Sequence, residues 1–336
     1  MANVSRRAFI ALSAGAFASL VACGKSENAT DATGTGDSKS ARTPYAFRFA
    51  SADEGAKLIV GNESYNAQMS QLNIDFRLQK VGGTLDDWKD FATKQVLEFT
   101  DDEKASLKTA MAKIEGLITE RNLNLPDSEE IVFIKTTMAE ECYASAYTHG
   151  TQIYLNDAIV QMLNSDDQVI REESMCIIAH ELFHCLTRSN PDFRAKMYSI
   201  LGFEVQDEDF EFGTDVAGRI ICNPDVEHHN SHATFTIDGL NRPCAVVFYA
   251  SQPFEKEGDN FFDLGKTGLV PTDDLNTLYD STEASNFWDV FGRNTDYVID
   301  PEETMADNFS FAVVYGRNGT NYKNPEIIEA IFEKLS

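Results

Sequence analysis

The sequence predicts an α+β fold, and three observations carry that prediction. Thr100-Asp101-Asp102-Glu103 opens a helix in which Leu107, Met111, Ile114 and Ile118 recur at helical spacing. Glu172 to Arg188 reads as a second helix, acidic at its start and closed by a basic turn and the breaker Asn190-Pro191. Between them lie two short strands: Glu130 to Lys135, an apolar run, and Thr151 to Leu155, which alternates as a half-exposed strand should. No fixed-period repeat is apparent, which argues against a solenoid or a propeller.

The first 22 residues read as a leader. Arg6 and Arg7 form a positive n-region, and Phe9 to Ala22 is an uncharged stretch too short and Ala-rich for a spanning helix. Ser5-Arg6-Arg7-Ala8-Phe9-Ile10 resembles the twin-arginine export signal. Leu20-Val21-Ala22-Cys23 resembles the bacterial lipobox, which implies lipidation of Cys23 and an exported chain anchored to the bacterial cell envelope. The alternative is an ordinary cleaved signal peptide with an incidental Cys. Residues 23–44 come next as a tether, since Glu27 to Arg42 lacks large apolar residues and cannot bury enough surface to order itself.

The remaining organisation divides into a mainly helical region over 45–125 and a second, α+β part over 126–336, with an insertion at about 203–300. Asn156-Asp157 can cap a helix. Another helix runs from Asp192 to about Leu201 and stops at Gly202. Ala233 to Ile237 and Ala245 to Tyr249 read as strands. Asp300-Pro301 opens the next strong helix, with Pro at its first position, and Glu326 to Leu335 closes the chain as an amphipathic helix.

Composition bounds the partners. The formal charge is −26 in 336 residues. Residues 1–22 contain no acid, so the acidity survives removal of the leader. Such a surface repels nucleic acid and anionic headgroups, leaving the N-terminal lipid as the membrane contact. Five cysteines remain beyond Cys23, an odd number that cannot all pair within the chain. Cys176 and Cys185 stand roughly 13 Å apart along one helix and cannot bond to each other. Cys222 and Cys244, flanking an expected hairpin, are the pair best suited to a disulfide. Nothing in the cysteine spacing matches a cysteine zinc site.

The chemistry concentrates at His180-Glu181-Leu182-Phe183-His184. Histidines four apart share a helix face and can grip one ion. Glu181 lies about a third of a turn round, where it reaches a water on the metal without ligating the metal itself. With a third protein ligand, zinc would leave one position open and acidify that water for attack on a carbonyl. Glu181 would take the proton and pass it to the leaving amine. The alternative is a helix with two surface histidines and a solvated Glu.

The third ligand must come from elsewhere, because Asn190 stands six residues after His184, where a close-spaced His would be needed. In Asp300-Pro301-Glu302-Glu303-Thr304-Met305-Ala306-Asp307, Glu303 and Asp307 share a helical face. Glu303 can bind zinc, and Asp307 can accept the second ring N–H of a ligating His. Glu302 is the fallback ligand, although it would not share a face with Asp307. The competing reading places Glu303 in a helix capping box with Asp300.

His-Glu-x-x-His followed far downstream by Glu-x-x-x-Asp resembles the gluzincins, the thermolysin-like clan of zinc peptidases. The likeness covers these two helices and, loosely, the strand before the first, and does not extend to the N-terminal 120 residues. It implies a zincin-like core, with a small mixed sheet over the zinc helix and a helical lower part. It also implies Zn2+ held by His180, His184 and Glu303, Glu181 as base, Asp307 behind a ligand, and a peptide or protein substrate. The interval before Glu303 is longer than in the thermolysin pattern, which leaves room for the 203–300 insertion.

Supporting roles have several candidates. Ala146 to Leu155 reads either as the edge strand that binds substrate backbone or as a core hairpin. Tyr297 is a candidate oxyanion donor, as is His229; His228 and His232 are further possibilities, presented by a turn at Asn223-Pro224-Asp225. Each also has a structural reading: Tyr297 as packing, the histidines as exposed loop residues. Cys176 and Cys185 read as small core hydrophobes, and Phe261-Phe262 as core. Two rivals stand beside the endopeptidase. One is a zinc-binding lipoprotein that acts as a scaffold or binding module without proteolysis. The other is an aminopeptidase, but no Gly-Ala-Met-Glu-Asn-like strand precedes His180.

Overall fold

The computed structural model describes residues 43–319 and 321–336. The leader, Cys23 and the tether up to residue 42 lie outside the described residues. The described chain is α+β, with a small mixed sheet near the N-terminal half.

That sheet contains β1 (Phe47–Phe49), β2 (Val96–Leu97), β3 (Ile131–Thr136), β4 (Ala146–His149) and β5 (Gln152–Leu155). The order is β1-β3-β5-β4, with β2 pairing β3. β3 runs parallel to β1 and β5, whereas β4 is antiparallel to β5 and β2 to β3. Every residue of β3 is buried, as an unbroken apolar run demands of a central strand. The expected half-exposure of β5 is not observed: Ile153, Tyr154 and Leu155 are all buried. Tyr154 stacks on Tyr147 of β4, and His149 on the same strand packs against Tyr65, so an N-terminal helix covers that face. Residues 146–155 are thus a hairpin rather than one strand, turned at Gly150 with φ +56°.

The N-terminal region holds α1 (Ala52–Leu58), α2 (Glu63–Gln68), α3 (Gln71–Leu78), α4 (Leu85–Ala92) and α5 (Asp101–Glu120). It is mainly helical, but β1 and β2 tie it into the sheet, a contribution too short for periodicity to register. Each helix starts on a side-chain cap, from Ser51, Asn62, Ser70, Thr84 and Thr100 in turn. Thr100 and Glu103 form a reciprocal capping box, and Leu107, Met111, Ile114 and Ile118 are buried. Fully buried Arg77 on α3 pairs with Glu141 at 2.7 Å and donates to the Cys222 carbonyl at 2.9 Å.

After the sheet come α6 (Asp157–Leu163), α7 (Gln168–Ser189) and α8 (Pro191–Tyr198). Asp167 caps α7, so that helix begins four residues before its acidic run. A second sheet then runs β10-β9-β8-β7-β6, antiparallel throughout, from β6 (Glu204–Val205), β7 (Ser231–Ile237), β8 (Leu240–Ala250), β9 (Gly265–Pro271) and β10 (Tyr279–Asp280). Asp238-Gly239 turns β7 into β8 with both φ angles positive, the backbone a tight hairpin requires. Short helices α9 (Thr214–Ala217) and α10 (Phe261–Leu264) interrupt it, and α11 (Phe287–Phe291) comes after it.

α12 (Pro301–Val314) and α13 (Pro325–Leu335) complete the fold. Every residue of α12 is buried except Asp307. A helix buried nearly all round lies in the middle of a protein, and α12 packs along α7 with Phe309 against Phe183 at 5.3 Å. The expected Cys222–Cys244 bridge is not formed; all five cysteines among the described residues are free and buried. Residues 220 and 221 lie beside Tyr249 and Phe248 of β8, four or five positions beyond Cys244. At the rise of a strand that separates the two sulfurs by more than about 10 Å, outside disulfide reach.

Candidate metal centre

α7 and α12 bring His180, His184 and Glu303 together. One ligand atom from each lies within 4.8 Å of the others, and all three residues are buried. Glu303 Oε2 stands 2.9 Å from His180 Nε2 and 3.7 Å from His184 Nε2. Donors about 2.0–2.2 Å from one tetrahedral ion stand roughly 3.4 Å apart, a value these two distances bracket.

Each ring is held from behind. His180 Nδ1 meets Asp307 Oδ1 at 2.8 Å, and the second Asp307 oxygen accepts from Thr295 Oγ1 at 2.5 Å. His184 Nδ1 meets Glu302 Oε1 at 2.9 Å. Glu302 also accepts from Thr187 Oγ1 at 2.6 Å and from the Tyr198 hydroxyl at 2.6 Å. With a proton on each Nδ1, both Nε2 lone pairs face the centre. Glu302 is therefore no ligand. Its position about 100° round α12 from Glu303 aims it at the other histidine. Nor does Glu303 close a capping box: Asp300 accepts from the Glu302 amide, and the Glu303 carboxylate turns inward.

The Tyr297 hydroxyl donates to Glu303 Oε1 at 3.0 Å, and Asn223 Nδ2 donates to the same oxygen. Glu181 is fully buried and belongs to a second close group with His184 and Asp225. His228, His229 and His232 are in neither group. His229 is half-buried against Phe212, and desolvation lowers its pKa to about 4. His228 is exposed and paired with Asp209 at 3.1 Å. His232 packs on Phe210 in the same loop region.

The carboxylates around His184 favour positive charge at the centre. Burial pulls the His184 pKa down, but Asp225, Glu302 and Glu303 outweigh it and push it up to about 10. Glu302 goes the other way: burial opposes ionisation, yet His184, Arg194 and Thr187 hold it below its ordinary range. His184 Nε2 is buried with no hydrogen-bond partner. An orphaned imidazole nitrogen among carboxylates is the environment a divalent metal satisfies.

A small pocket lies beside the centre, lined among others by Ala146, Tyr147, Asn223, Asp225, Phe262 and Tyr297. The aromatic pair expected in the core is placed accordingly: Phe261 is buried next to Phe76, and both Phe261 and Phe262 border this pocket. Asn223, Asp225, Thr187 and Tyr198 escaped sequence reasoning. The sequence held one signal for the first two, the Asn-Pro-Asp turn, which pointed instead to the histidines after it. No family model, no curated protein and no solved structure matches the chain.

Proposed function

We propose that the chain is a gluzincin-like zinc metallopeptidase, tethered by a lipid on Cys23, with Glu181 as general base. The observation that carries this is the convergence of two imidazole nitrogens and one carboxylate oxygen, each ring braced by its own carboxylate. Two nitrogens and an oxygen suit zinc, and the orphaned His184 Nε2 fits a metal better than any protein donor nearby. Zinc held there would acidify a water and polarise a substrate carbonyl.

The chain's own groups supply the rest. Asp307 and Glu302 fix the ring orientations, and Tyr297 with Asn223 holds one oxygen of Glu303 so that the other faces the histidines. Glu181 takes a proton from the attacking water and returns it to the leaving amine. The mixed sheet, with antiparallel β4 outermost and α7 beneath, supports a zincin-like layout. β4 then stands where an edge strand would receive an extended peptide.

One observation favours the rival, a metal-binding lipoprotein without proteolysis: Glu181, His184 and Glu303 are each 0 % exposed. Metal content and peptide-library cleavage of wild type and Glu181→Gln separate the two. The peptidase reading expects about one zinc per chain in both, with cleavage falling by about 10²–10⁴ in the variant. Bound zinc without wild-type cleavage would establish the rival.

A further inference from the structure

Asp225 has no part in the ligand set above, yet its carboxylate enters the centre. Asp225 Oδ1 lies 3.9 Å from His184 Nε2, and Asp225 forms a close donor group with His184 and Glu181. The same oxygen accepts from the Thr148 amide at 2.7 Å and the Thr148 hydroxyl at 2.9 Å. Two residues on, Glu227 Oε1 accepts from the Gly150 amide at 3.2 Å. β4 has β5 on one side only, so the Thr148 amide belongs to its outer edge and the Gly150 amide to the turn that follows it. An extended peptide added to that edge would use such amides.

The segment is framed firmly on both sides of the turn. Cys222 donates its amide to Asn73 Oδ1 at 2.9 Å and receives Arg77 on its carbonyl at 2.9 Å. Arg188 of α7 holds the Pro224 carbonyl at 2.9 Å and Glu227 at 2.9 Å. Between these anchors a turn at Asn223 points Asn223 Nδ2 at Glu303 and the Asp225 carboxylate at His184.

We infer that residues 222–227 are a built-in plug: they cover the substrate edge of β4 and set Asp225 in the position that a substrate carbonyl or water would take beside His184. This rests on the zinc-peptidase reading. The centre is then latent at rest, and an incoming peptide must displace Asp225 to reach it. The complete burial of a site built for turnover has its cause in the same arrangement.

The test uses the full chain loaded with cobalt(II), with acetohydroxamate as a metal-directed probe read by visible absorption. The metal-free protein is followed by amide exchange at Thr148. Asp225→Ala removes both contacts, whereas Asp225→Asn keeps an acceptor for the Thr148 amide and loses the charge. Both variants should retain cobalt, with an altered spectrum; the Ala variant should bind acetohydroxamate about tenfold tighter or more, because a competing internal occupant is gone, and the Asn variant, which keeps that occupant's shape and loses its charge, should gain less. Thr148 exchange should quicken in the Ala variant and stay slow in the Asn variant. Unchanged hydroxamate affinity in both variants overturns the plug, as does loss of cobalt from both, which would make Asp225 a permanent ligand. Unchanged Thr148 exchange in Asp225→Ala overturns the edge cover. A wild-type chain that takes up no cobalt instead overturns the metal reading.

Discussion

Glu302 braces His184 through Nδ1 at 2.9 Å, one residue before the carboxylate that faces the ring's other nitrogen. Asp307 braces His180 in the same way at 2.8 Å. The two carboxylates should therefore weigh alike in metal affinity. Glu302→Gln and Asp307→Asn are each expected to weaken binding about 10–100-fold, read by competition with a chromogenic chelator. An unchanged affinity in Glu302→Gln would refute its bracing role.

Tyr297→Phe separates two functions. If the hydroxyl orients Glu303, as its 3.0 Å contact indicates, the variant loses metal affinity and about 1 kcal/mol of stability. If it stabilises an oxyanion, kcat falls roughly 10²-fold or more while metal affinity holds. Metal titration beside steady-state kinetics decides between them.

Glu140 is a buried acid near the sheet, accepting from the Tyr147 hydroxyl at 3.0 Å, with its other oxygen buried and without a partner. Burial raises its pKa from 4.5 to about 7. The raised folded value means that the residue costs nothing below about pH 4.5, where it is protonated in both states. The penalty grows as pH climbs to about 7 and stays level above. Glu140→Gln should therefore stabilise the protein at pH 8 by on the order of 3 kcal/mol, and far less at pH 4.5. Urea melts at the two pH values check this; equal changes at both would exclude the titration.

The free cysteines give a simple expectation. A chain beginning after Cys23 should yield five reactive thiols when denatured and show the same melting temperature with and without reductant. A two-thiol deficit recovered by reductant would mean that a bridge forms.

The parts of the fold that carried strong local signals were legible. The capping box at Thr100, the basic stop of α7 and Pro301 after Asp300 each announce a helix end through a single residue's chemistry. The motif on α7 and the Glu303–Asp307 spacing on α12 were legible because both are set by helical geometry alone. β1, β2, β6 and β10 were not, since strands of two or three residues carry no usable period. Glu302 was read as a spare ligand because its partner depends on how α12 is rotated against α7, a tertiary fact. The turn at Asp225 was legible, but its place beside His184 was not, for the same reason: only folding brings the two together.

The two halves of the metal centre are remote along the chain, and the whole second sheet is built between them. A nascent chain can therefore offer an early, weak two-histidine grip on α7, whereas the anionic donor arrives after that sheet has docked. On the proposed reading, metal capture would be a checkpoint on completed folding rather than a seed for it. In refolding started with zinc present, release of a zinc-sensitive dye's signal should lag behind helix formation. Capture that keeps pace with the first helical signal would place the ion at the beginning of folding instead.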